Sequence, residues 1–207
     1  MNLAPGLPFQ FEAPLLTERL VLRLLTAADV DDVYAWQSRA DVCRYLLFEP
    51  RSRELVTEKV AEYGAASRIA KDTDFLELAV QLRDPADPRV IGISYFCLRS
   101  LENSTGEIGW QLHADYWGRG YAVEAANAML DLAFGTFKLH RMIAELDARN
   151  ESSASLCRRL GMREEAHFVQ DMMFKGGWSD TGVYALLADE WRAAHAEQPQ
   201  ADRDDAR

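Results

Sequence analysis

The sequence predicts a mixed α/β domain in which an antiparallel run of strands is followed by a strand–helix–strand unit. Three observations carry this. Two segments rich in strand formers, 75–82 and 90–98, flank a Pro- and Asp-rich connection. A Gly-Arg-Gly loop at 118–120 joins a further strand to an amphipathic helix. Another strand, 141–147, follows that helix at a spacing compatible with parallel pairing.

Residues 1–14 carry Pro5, Pro8 and Pro14 and read as an extended arm, after which Arg19 to Leu24 alternates as a first strand. Thr26, with Asp29 three residues on, caps a helix whose apolar stripe is Val30, Val33 and Tyr34. A second helix is predicted over Arg53 to Ala70. Strands at Phe75–Leu82 and Val90–Leu98 form a hairpin across residues 83–89, and Gly106 to His113 supplies the next strand. Ala122 to Phe134 places Val123, Ala126, Met129, Leu130 and Ala133 at helical spacing, followed by a strand over Arg141–Asp147. A helix over Ser152–Leu160 ends at Gly161, the residue type that tolerates a left-handed cap. Strands at Met162–Asp171 and Gly182–Leu187, joined by a turn within 176–180, complete one domain over 15–195; 196–207, with Asp202, Asp204 and Asp205, reads as a disordered tail.

At 207 residues and 48% hydrophobic composition the chain can bury one substantial core. The N-terminus lacks the basic region and apolar run of a secretory signal, and no stretch is long and apolar enough to span a bilayer; no membrane association and a cytoplasmic location are expected. Cys43, Cys97 and Cys157 are odd in number and far apart, which fits buried reduced thiols. His113, His140, His167 and His195 are isolated, so no metal is expected. A net charge of −10 argues against a nucleic-acid partner and mildly favours cationic substrates such as amines.

The stretch 106–122 is the most informative. Gly118 and Gly120 allow a sharp turn and close approach of a ligand, and the helix that follows offers unpaired N–H groups and the positive end of its dipole, an arrangement that cradles phosphate. A dinucleotide fingerprint would need glycine at 123, where Val123 stands, and no Gly-Lys-Ser/Thr marks a nucleoside-triphosphate loop.

Trp117-Gly118-Arg119-Gly120-Tyr121-Ala122 resembles the coenzyme A loop of the GNAT acetyltransferase superfamily, with Trp117 in place of the usual Gln or Arg, a form familiar in the RimJ/RimL-like branch. Asn150 to Met162 is similar to the Asn-x-x-Ser…Leu-Gly-Phe segment of that branch, with Arg159 and Met162 as conservative replacements. Lys175 to Asp180, then Tyr184 to Leu187 and Trp191, resemble its C-terminal signature. The similarity spans roughly Leu16 to Arg192.

The resemblance implies a GNAT fold: a central mixed sheet of about six to seven strands with an antiparallel N-terminal meander, flanked by about four to five helices. It implies acetyl-CoA as co-substrate, with the diphosphate on main-chain N–H groups around Gly118 to Ala122, including Arg119 and Tyr121. Trp117 would stand beside it, and the pantetheine arm would run along the strand ending at Leu112 and His113. Asn150 is expected as a cofactor or loop contact. Glu107, on the face of Gly109 and Gln111, is expected as general base, against the alternative of an ordinary cross-strand pair. Ser153 is expected near the CoA sulfur, against the alternative that it, Ser152 or Asn150 caps the helix. Cys157 stands where many GNAT enzymes carry an acidic tyrosine; Tyr184 and Asp171 are weaker candidates. Trp36, Tyr45, Phe48 and Trp178 are candidates for an acceptor pocket, with core packing the alternative.

The leading expectation is acetyl transfer to a primary amine, either a protein N-terminus or a small molecule, by direct attack in a ternary complex. A catalytically weak acyl-CoA-binding sensor and an aminoglycoside-type antibiotic acetyltransferase are the alternatives. Homodimers are common in this branch.

Overall fold

The structure is a computed structural model that describes residues 6–196. Its strands are β1 (Phe9–Gln10), β2 (Leu15–Leu16), β3 (Leu20–Leu24), β4 (Arg68–Ile69), β5 (Phe75–Leu82), β6 (Val90–Ser100), β7 (Thr105–Leu112), β8 (Arg141–Asp147), β9 (Arg163–Phe174) and β10 (Gly177–Leu187). Its helices are α1 (Val30–Gln37), α2 (Ala40–Cys43), α3 (Arg53–Ala65), α4 (Tyr121–Leu130), α5 (Glu151–Arg159) and α6 (Ala188–Ala196). β2-β3-β5-β6-β7-β8-β10-β9 form one sheet; β1 and β4 pair separately. Every pairing in the large sheet is antiparallel except β7 with β8, the crossover made through α4.

The alternation read from sequence is what divides the core. On β5, Leu76, Leu78 and Val80 face one layer with Leu20, Leu22, Phe96, Ile108 and the apolar stripes of α4 and α5. Ala79 faces the other, with Ile93 and with Val33, Trp36, Val56 and Val60 of α1 and α3. The sheet is therefore sandwiched between helices on both faces.

Several boundaries differ from expectation for local reasons. The helix expected over 53–70 stops at Ala65: Gly64 lies so close to the Leu25 carbonyl that a Cβ would sit 2.3 Å from it, and Arg68–Ile69 is taken by Phe9–Gln10 as β4. The N-terminal arm thus pairs, and it buries Leu7 and Phe11. The last hairpin turns on Lys175 and Gly176 alone (φ 48° and 81°), so Gly177 to Asp180 extend β10. β2 adds an edge strand, and α2 and α6 add helices, that pattern reading did not separate. The tail 197–207 and residues 1–5 lie outside the described residues.

Candidate active site

β7 pairs with β8 only at Thr105, Gly106 and Glu107, opposite Arg141, Met142 and Ile143. Beyond that point β7 continues on β6 through Leu112, while β8 continues on β10 through Asp147. The two parallel strands therefore splay, and a wedge opens between Ile108–Leu112 and Ala144–Asp147. No helix interposes a ladder there; main chain borders the wedge on both sides.

At the end of β7 the chain makes a short 3₁₀ turn (Ala114–Tyr116) and enters the loop. Gly118 has φ +74° and Gly120 φ +82°, left-handed conformations that a side chain would strain, and Gly120 immediately precedes α4. Space over Gly118 is open: nothing lies within 4 Å of where a Cβ would be. Among the described residues none accepts a hydrogen bond from the main-chain N–H of Gly118, Arg119, Gly120, Tyr121, Ala122 or Val123; the first N–H of this run with a partner is that of Glu124, bonded to the Gly120 carbonyl. Six successive free donors at a helix N-terminus form an anion site of the kind expected from the two glycines.

What holds the loop was not read from the sequence. Glu124, one turn into α4, accepts from the Thr17 hydroxyl (2.6 Å), from the Arg19 N–H (2.7 Å) and from Arg19 Nε (2.7 Å). Arg19 Nη1 also donates to the Arg119 carbonyl (3.0 Å), and its guanidinium lies 4.5 Å from the Tyr121 ring centroid. One arginine from the turn before β3 thus fixes both the loop and the first turn of the helix. These bonds, with those of Thr17, hold the Glu124 carboxyl below its ordinary range although burial opposes them. Glu124→Ala is expected to weaken acetyl-CoA binding about tenfold while leaving kcat at saturation within a factor of about three; calorimetric titration and steady-state kinetics measure the two separately.

Trp117 is half exposed, and its indole N–H donates to the Leu112 carbonyl (2.8 Å), folding the loop back onto β7. The His113 N–H is bonded to the Ile91 carbonyl, and its Nδ1 accepts from the Asp115 N–H (3.1 Å). The Leu112 carbonyl and the His113 N–H, expected along the pantetheine path, are thus engaged by the protein.

Glu107 and Ser153 stand on opposite sides of β7. Register places Glu107 beside Cys97 of β6 and Gly109 beside Tyr95; the Tyr95 ring lies over Gly109, where a Cβ would approach it to 3.3 Å. The Glu107 carboxylate accepts from Arg99 Nη1 (2.9 Å), and the same guanidinium is 3.7 Å from Glu145 of β8. Glu107 thus has a cross-strand partner, as the alternative expectation for it requires. Yet burial pushes its carboxyl up, Arg99 only partly offsets this, and Glu145 adds to the rise.

Ser153 lies near the start of α5. Asn150 is the residue that caps this helix: its Oδ1 accepts from the Ser153 N–H (3.2 Å). That leaves the Ser153 hydroxyl free of the capping role, and it instead accepts from the Trp110 indole N–H (3.2 Å). No described residue accepts the hydroxyl proton of Ser153. The bond from Trp110, two residues from the end of β7 and on the face opposite Glu107, to Ser153 was not read from the sequence, because nothing in the spacing points across 43 residues to a serine.

The remaining candidates divide between the core and the surface. The Cys157 thiol is fully buried in the core and burial pushes it up to about 12. Tyr184 is buried and its hydroxyl donates to Glu164 (3.2 Å), and Asp171 is exposed on β9. Trp36 is fully buried in the α1–α3 core, whereas Phe48 lies under the Arg51 guanidinium (3.6 Å) and Trp178 is exposed on β10. Lys175, at the β9–β10 turn, donates to the Cys43 carbonyl (2.5 Å), so that hairpin reaches across to the α2 segment. Among the described residues no three His, Cys, Asp or Glu side chains cluster as a metal site, and no helix is long and apolar enough to cross a membrane.

A sheet that splays at a parallel pair, with a free N–H cradle at the mouth of the next helix, is an arrangement suited to a phosphate-bearing ligand. Residues 19–163 match the family described as acetyltransferase (GNAT) domain, and the chain belongs to that family. It is 29% identical over 175 residues to the uncharacterized N-acetyltransferase YnaD of Bacillus subtilis, covering 84% of this chain and 97% of that protein. It is 27% identical over 112 residues to the ribosomal protein uS5-alanine N-acetyltransferase of Escherichia coli, covering 53% of this chain and 57% of that protein. An acetyltransferase (GNAT family) structure from Bacillus anthracis superposes with a TM-score of 0.76 at 29% identity, covering 86% of this chain and 99% of that one. The chain is an acetyl-CoA-dependent N-acetyltransferase of the GNAT fold, with relatives in the RimJ-like group.

Proposed function

We propose that residues 15–195 form one catalytic domain that transfers acetyl from acetyl-CoA to a primary amine by direct attack, with Glu107 as base and Ser153 beside the leaving sulfur. The observation that supports this is the placement of three features along β7 and the start of α4: six main-chain N–H groups free among the described residues, a carboxyl raised by burial on one face of β7, and on the other a hydroxyl whose proton no described residue accepts.

Acetyl-CoA supplies an activated thioester, and its diphosphate matches the donors of Gly118 to Val123 in charge and in the absence of any competing acceptor. Arg19 and Glu124 keep that loop in place. Glu107 takes the proton that the attacking nitrogen loses as it bonds to the acetyl carbon. Ser153, its lone pair engaged by Trp110, donates toward the sulfur that receives the electron pair of the broken C–S bond. Asn150 orders the turn on which Ser153 sits. Burial raises the Glu107 carboxyl above the ordinary carboxylate range, which strengthens it as a base.

The acceptor is an amine on a protein N-terminus or on a small molecule. Release of CoA measured across a panel of amines, amino acids and peptides with free N-termini tests the proposal. Turnover that requires an amine supports it; a protein that binds acetyl-CoA and turns over none of them is the sensor.

A further inference from the structure

Two ionisable side chains on the α1–α3 face of the sheet lack the partners that burial demands. Glu77 of β5 is 7% exposed, makes no hydrogen bond or ion pair among the described residues, and leaves Oε2 fully buried without a donor. Arg51, just before α3, is half-buried with Nε unpartnered, and no carboxylate pairs with it among the described residues. The two feel each other: the Arg51 charge draws the Glu77 carboxyl down against its burial, although no hydrogen bond joins them.

Arg51 is nonetheless held in place. Its Nη1 donates to Gln37 Oε1 (2.9 Å), its main-chain N–H donates to the Gln37 carbonyl (2.9 Å), and its guanidinium lies on the Phe48 ring. Gln37, completely buried, donates in turn to Gln111 Oε1 on β7 (3.0 Å). Register puts Glu77 in one row with Tyr95 and Gly109, on the face that carries Glu107, two strand spacings or about 10 Å from β7. A pre-set guanidinium and a buried carboxyl, each short of a partner and not paired with one another, match a ligand that carries both an anion and a cation.

Resting on the acetyl-transfer reading above, we propose that Arg51 and Glu77 form an acceptor subsite for the zwitterionic head of an α,ω-diamino acid, carboxylate on Arg51 and α-ammonium on Glu77. The ω-amine then lies beside Glu107 and is the group acetylated. The covalent step is that of the parent reaction, with the ω-nitrogen acetylated, the thiolate released and the nitrogen's proton passed to Glu107.

Lysine and ornithine, with their decarboxylated counterparts cadaverine and putrescine, are the probes. Titrated calorimetrically into the CoA-bound protein, lysine or ornithine should bind at least tenfold more tightly than the matched diamine. Arg51→Lys should erase that preference, whereas Glu77→Gln, which removes the partner of the ammonium that diamine and diamino acid share, should weaken both ligands; neither should change acetyl-CoA affinity, and Glu77→Gln is isosteric, so a folding defect does not confound it. In kinetics Arg51→Lys should raise KM for the diamino acid with KM for the diamine unchanged, and Glu77→Gln should raise both. Equal binding of diamine and diamino acid, no detectable binding of either, preference intact in Arg51→Lys, or diamine binding intact in Glu77→Gln overturns the subsite. Turnover of peptides with free N-termini alone would leave acetyl transfer standing and remove this acceptor class; loss of all amine-dependent turnover would remove both.

Discussion

Glu107→Gln should lower kcat by about 10² to 10⁴ while leaving the Kd for acetyl-CoA within a factor of two. The amide keeps the size of the side chain and can still meet Arg99, so the sheet row Phe75–Cys97–Glu107 is preserved while the proton acceptor is lost. The pH profile separates this from a merely structural effect. A base must be ionised to act, and burial raises the Glu107 carboxyl; activity in the wild type should therefore rise with pH through that raised value, and the acidic limb should vanish in the variant. A Gln variant that retains the limb would assign it to another group.

Glu77→Gln should stabilise the protein, and increasingly so as pH rises. Burial lifts the Glu77 carboxyl from 4.5 to about 8. Between these values the unfolded chain has released the proton while the folded chain keeps it, so this group makes stability fall with rising pH, by about 1.4 kcal/mol per pH unit. By pH 7 the accumulated cost is about 3 kcal/mol as an upper figure, all of it absent from the glutamine variant. Denaturant unfolding of both proteins from pH 4.5 to 8 measures the difference directly. Curves that run parallel would show that Glu77 titrates normally. A residue that costs stability at neutral pH, and whose replacement also costs acceptor affinity, carries the signature of a site.

The two results bear on each other. Glu107 has a cationic partner in Arg99 and remains partly open, whereas Glu77 has none and is almost sealed.

The strands were legible because their alternation is strong: β5 and β8 start and end where the residue pattern places them, since Leu76, Leu78 and Val80 must reach one core layer and Ala79 the other. The cradle was legible because only glycine readily accepts the φ of positions 118 and 120. The face on which Glu107 stands was legible through the parity of β7, whereas its expected role as base came from the resemblance alone. What stayed hidden is made by register across strands and by reach between distant segments. Arg19 to Glu124 spans 105 residues, Gln37 to Gln111 spans 74, and Trp110 to Ser153 spans 43. Nothing in local spacing marks such partners. Glu77 looks in sequence like a solvent-facing residue of an alternating strand, and only α3 lying over that face makes it a buried, unpaired acid. The early end of α3 at Ala65 was hidden for the same reason, as Arg68–Ile69 beyond it pairs with the distant Phe9–Gln10.

We infer that the acyl donor is held by main chain at the start of α4, and amide-resolved NMR of the protein titrated with CoA tests this. The largest perturbations are expected at Gly118 to Val123, reduced when Glu124→Ala loosens the loop. CoA binding that leaves those six amides unshifted would contradict it.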